Sequence, residues 1–96
     1  MSAARHYVVH GKVQGVGYRF FALTCAEALG LKGWVRNTSR GTVEAFAEGP
    51  EAQLDEFAFD LRRGPRYGRV SEVEEKAASA EGCQGFEIVH MRGGRS

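Results

Sequence analysis

Residues 11–19 read Gly-Lys-Val-Gln-Gly-Val-Gly-Tyr-Arg and join two segments of different periodicity. Residues 5–13 alternate, with Tyr7, Val9 and Val13 on one face and Val8, His10 and Lys12 on the other. That pattern predicts a strand with one face in a core. Residues 19–29 place Phe21, Cys25, Ala28 and Leu29 at i, i+4, i+7 and i+8, widened by Ala22 and Ala26. That spacing predicts an amphipathic helix, and Gly30 suits its C′ position. A helix start leaves backbone N–H groups unpaired, and the peptide dipoles add partial positive charge there. Ser, Thr, Asp or Asn normally caps such a start, with acids in the first turn. Residues 14–18 offer none of these, and Arg19 stands in the first turn. Two readings are open from this stretch alone. The missing cap is a place for a bound phosphate or carboxylate, or the segment is a glycine turn with a solvent-exposed arginine.

The remaining chain supplies the elements around it. Residues 31–37 (with Trp34 and Val35) and 42–48 (Val43, Ala45 and Ala47 on one face) predict a hairpin across Asn37-Thr38-Ser39-Arg40-Gly41. Gly49-Pro50 is expected to break the second of these strands, with Pro50 at the first helical position. Leu54, Phe57, Ala58 and Leu61 then form a helical stripe that Gly64-Pro65 ends. Residues 69–76 predict a strand through Val70 and Val73, although Glu, Lys and Ala there also favour helix. Residues 86–90 predict a short last strand. The order β-α-β-β-α-β is the split βαβ pattern of the α+β ferredoxin-like sandwich, an antiparallel sheet with two helices on one face. One domain over residues 1–96 is expected, with residues 1–4 and 91–96 flexible.

Composition excludes several functions. A net charge of +1 lacks the basic excess of a nucleic-acid binder. The sheet also lacks the aromatic platform of an RNA-binding sandwich, since residues 41–48 hold only Phe46. No apolar run approaches a membrane span, and the start of the sequence has no apolar signal core. Two cysteines, Cys25 and Cys83, are too few for a disulfide scaffold. They read as thiols of a reducing compartment, with a single bridge between them left open, and the cytoplasm is the expected location. Cys25 falls on the helical stripe and reads as core rather than nucleophile. His6 and His10 lie on the outward strand face without further metal ligands at suitable spacing and read as solvated. Asn37 reads as a turn residue.

Residues 11–19, together with Gly33-Trp34-Val35-Arg36-Asn37-Thr38, Gly41-Thr42-Val43 and Glu48-Gly49-Pro50, resemble the acylphosphatase family. The resemblance runs from about residue 6 to residue 90 in length and order of elements. It implies hydrolysis of a small-molecule acyl phosphate to a carboxylate and inorganic phosphate, without metal or cofactor. It places the phosphoryl group in the loop of Gln14, Gly15, Val16, Gly17, Tyr18 and Arg19. Arg19 matches the phosphate-binding arginine and Asn37 the asparagine that orients the attacking water, with Thr38 beside it as support. A monomer with no nucleic-acid or membrane partner is expected. Elementary chemistry agrees with a site that lacks a base. Phosphoryl transfer needs positioning and charge stabilisation, a guanidinium forks onto two phosphate oxygens, and a carboxylate of pKa about 4 leaves without a proton. His10, Glu48 and Asp55 are the remaining candidates for a base and are expected on solvated faces.

Overall fold

β1 (Ser2–Lys12) is the spine of the sheet, paired on both sides in the computed structural model, which describes residues 2–90. It is followed by α1 (Tyr18–Ala28), β2 (Lys32–Asn37), β3 (Val43–Pro50), α2 (Glu51–Arg63), β4 (Arg69–Ala78) and β5 (Phe86–Ile88). The strand order is β4-β1-β3-β2-β5. The first four strands are antiparallel, as expected for the ferredoxin-like sandwich, and β5 adds a parallel fifth strand on β2. The alternation of β1 works as read. Tyr7 and Val9 sink into one core with Val35, Val43, Ala45 and Ala47 from the neighbouring strands. Leu54, Phe57, Ala58 and Leu61 of α2 close over them, with Phe57 edge-on to Tyr7 at 5.4 Å and to Phe86 at 5.9 Å. Each such apolar side chain contributes about 1.5–3 kcal/mol on burial. A smaller cluster of Ala4, Trp34 and Phe46 lies apart from this core, built from strand residues of the opposite parity.

Several expectations are corrected. Residues 2–4 belong to β1, where Ser2 pairs with Pro50 and Ala4 with both Glu48 and Ala78. Met1 and residues 91–96 lie outside the described residues. The buried line of α1 is Tyr18, Ala22 and Ala26, whereas Phe21 and Cys25 flank it, Leu29 is partly buried and Ala28 is exposed. Alanines seat the helix close to the sheet, so small residues mark the contact line and larger ones its edges. Pro50 is the last residue of β3 and the N-cap of α2, not its first helical residue; its backbone is extended, at φ −63° and ψ 146°. The strand expected over residues 69–76 forms and runs on to Ala78, because it pairs along β1 from Ala4↔Ala78 to Lys12↔Arg69. His6 and His10 are not freely solvated. His6 contacts the Glu44 carboxylate, which also holds Arg36, and His10 lies 2.6 Å from Glu74.

Candidate functional site

β1 ends at Lys12, Val13 sinks into the core, and the chain turns through residues 14–17 into α1. Gly15 (φ 76°) and Gly17 (φ 77°) hold left-handed backbone. A side chain there costs roughly 1–2 kcal/mol of strain, so these positions are fixed by backbone shape; an added Cβ would meet no atom within 4 Å. Gly17 is the N-cap of α1, no side chain caps the helix, and its first turn holds no acid. The sequence expectation of an uncapped helix start with a cation in its first turn therefore holds in three dimensions. Among the described residues no carboxylate pairs with Arg19.

Asn37 closes the arrangement. It is the last residue of β2, and it shares the parity of Gly33 and Val35, whose partners on β3 are Ala47 and Ala45 of the main core. Its side chain is therefore on the helix side of the sheet, level with the start of α1. Gly15, Gly17, Arg19 and Asn37 line one cleft of about 290 Å³. The Oδ1 atom of Asn37 is buried and accepts no hydrogen bond from any described group. An acceptor oxygen left free by the protein and placed at the cleft can take a hydrogen bond from a water or ligand there.

The other loop residues divide by role. Gln14 donates from Nε2 to the carbonyls of Thr38 at 2.9 Å and Thr42 at 2.8 Å. It ties the loop to the β2–β3 turn and so fixes the loop against Asn37. Thr38 stabilises that turn through its hydroxyl, 2.7 Å from that of Thr42. Val16 packs against the main core. Tyr18 reaches the cleft only near its backbone: its ring is buried and its hydroxyl donates to Leu61 O at 2.7 Å. Burial pushes the Tyr18 phenol well above its ordinary range. Tyr18→Phe should therefore lower unfolding stability by about 1–2 kcal/mol, by stranding a carbonyl at the end of α2. Turnover of the folded variant should stay within about twofold of the parent, and urea denaturation with steady-state kinetics checks both.

None of the three candidate bases lines the cleft. His10 faces Glu74, Glu48 accepts the N–H groups of Glu81 and Gly82, and Asp55 accepts from Arg5. Cys25 is not a nucleophile here: burial, and secondarily Asp60, push its thiol up to about 11. Cys25 packs on the main core and Cys83 on the Trp34 cluster at the other sheet face, so the two are not bridged. Among the described residues no group of three or more His, Cys, Asp or Glu is placed to hold a metal ion. No helix among them is long and apolar enough to cross a membrane.

Four lining residues were not among the expected site residues: Val13, which was read as core, Phe20, Ile88 and His90. Phe20 is 67% exposed at the cleft rim. Ile88 arrives because β5 pairs in parallel with β2 at Val35. The alternation of residues 86–90 was the available signal, but only the pairing partner turns it into a position.

The acylphosphatase family model matches residues 5–88. An acylphosphatase of Moorella thermoacetica is 48% identical over 89 residues, covering 92% of this chain and 96% of the relative. The crystal structure of acylphosphatase from Bacillus subtilis superposes with a TM-score of 0.88 at 38% identity, covering 93% of this chain and 99% of that one. A full-length HypF structure, described as phosphate- and nucleotide-bound, matches at a TM-score of 0.87 and 30% identity, covering 93% of this chain and 12% of the other.

Proposed function

The chain belongs to the acylphosphatase family and is a hydrolase of acyl phosphates, and we propose that it performs this reaction without metal, in the cleft between residues 14–19 and Asn37. The observation that carries the reading is the convergence of Arg19, the two left-handed glycines and the orphaned Asn37 oxygen on one small cleft. Arg19 forks onto two phosphoryl oxygens, and the uncapped N–H groups at the start of α1 take the third. Asn37 Oδ1 accepts a hydrogen bond from the attacking water and aims its lone pair at phosphorus. The water oxygen forms a bond to phosphorus as the bond from phosphorus to the acyl oxygen breaks. The electron pair leaves on the carboxylate, and the proton of the attacking water passes to a phosphate oxygen.

This division of labour explains how a cleft without a carboxylate can hydrolyse a phosphate compound. The acyl leaving group is a weak base and departs unprotonated. The charge that gathers on the equatorial oxygens meets a fixed guanidinium and N–H dipoles in a partly dry cleft. All of these groups come from one chain, so the reading is of an enzyme that works as a monomer. Purified protein should hydrolyse benzoyl phosphate at a rate unchanged by an excess of EDTA. Turnover that collapses on chelation and returns with a divalent cation would replace the guanidinium by a metal in this scheme.

A further inference from the structure

His90 stands outside this scheme, yet it lines the cleft with Arg19 and Asn37. Its position follows from two independent features of the fold. Residues 86–90 alternate across the sheet: Phe86 and Ile88 pack on the helix-side core, whereas Val89 packs on the Trp34 cluster of the open face. Parity therefore sends His90 to the helix side. The parallel register places Val35 abreast of Ile88, and the bond from Val89 N to Val35 O (2.9 Å) carries the pairing past the end of β5. His90, exposed and two residues beyond Ile88, lines the cleft together with Asn37, two residues beyond Val35. The residues lining the cleft include no carboxylate. From α1 the charged group facing it is Arg19, while the Tyr18 phenol is turned away to Leu61. From β2 it faces the neutral Asn37, and β5 contributes Ile88.

We propose that His90 is a titratable anion-binding residue of this cleft, its imidazolium joining Arg19 in holding the phosphoryl group and the product phosphate. Imidazole is the side chain whose charge ordinarily changes between pH 5 and 8. With His90 charged, a dianion in the cleft meets two cations; with His90 neutral, it meets one and a hydrogen-bond donor. A dianion of constant charge is thus held more tightly when His90 is charged. The inference rests on the reading that Arg19 and the loop bind the phosphoryl group.

Sulfate is the probe, because it remains a dianion from pH 5 to 8 while phosphate itself titrates in that range. Calorimetric titration should show wild-type protein binding sulfate about fivefold more tightly at pH 5.5 than at pH 8, the size of one added screened charge. His90→Gln should bind equally at both pH values, at the wild-type strength of pH 8. His90→Lys should also be flat, at the tighter strength. His6 and His10, paired with Glu44 and Glu74, are unchanged in both variants. A slope that survives in His90→Gln, or a wild-type protein without a slope, overturns the inference. Arg19→Gln separates the two levels. If it loses sulfate while His90→Gln keeps the slope, only the role of His90 falls. If Arg19→Gln binds sulfate like the wild type, the phosphoryl-binding reading falls and this inference with it.

Discussion

Arg19→Gln is expected to lower kcat/KM for benzoyl phosphate by about a thousandfold and to leave the protein as stable as before, or slightly more so. The activity estimate follows from the placement of the guanidinium. It is the one fixed cation in the lining, and single donors to a developing oxyanion are worth roughly 10²–10³ in rate, with arginines on transferred phosphoryl groups worth about 10³–10⁵. Glutamine keeps the length and some donor capacity but not the charge or the fork. The stability estimate has the opposite sign. A cation in the first turn of α1 opposes the helix dipole, and no described carboxylate compensates it. Its removal relieves about 0.3–1 kcal/mol. Thermal melts and steady-state kinetics on one preparation test both signs. Undiminished turnover in the folded variant would remove Arg19 from the mechanism.

This opposition is also why residues 14–19 stand out in the sequence, although the stretch alone leaves an anion site and a glycine turn both open. A local rule of helix capping is broken at residues 14–19, and rules are broken where function holds a residue against stability. The core of α2 and the alternation of β1 were legible for the opposite reason, since there every local preference agrees with the fold. What escaped was set by pairing between distant segments. The strand over residues 69–76 is legible despite a composition that also suits helix, but only its pairing with β1 shows that it runs on to Ala78. The parallel docking of β5 on β2 leaves no turn signal, because parallel partners are joined through most of the chain. Ile88 and His90 therefore had an alternation but no address. Tyr18 and Gln14 belonged to the motif, yet the motif could not say that one side chain anchors to Leu61 and the other to Thr38 and Thr42. The same holds for α1, where bulk pointed to Phe21 and Leu29 while the contact line runs through Ala22 and Ala26.

Asn37→Ala should lower kcat about a hundredfold while leaving the affinity for sulfate within about twofold. The split follows from the two halves of the cleft. The anion is held by Arg19 and the loop, whereas Asn37 lies across from them on β2, with an acceptor oxygen that can bind a water but would repel a phosphate oxygen. Losing it removes the aim of the nucleophile and not the grip on the anion, so kcat falls and binding stays. Asn37→Asp sharpens the test, because it keeps the acceptor and adds a negative charge facing the anion. It should weaken sulfate binding at pH 8 more than alanine does. If alanine at this position weakens sulfate as much as it slows turnover, Asn37 holds the phosphoryl group and the orientation of the water must come from the loop.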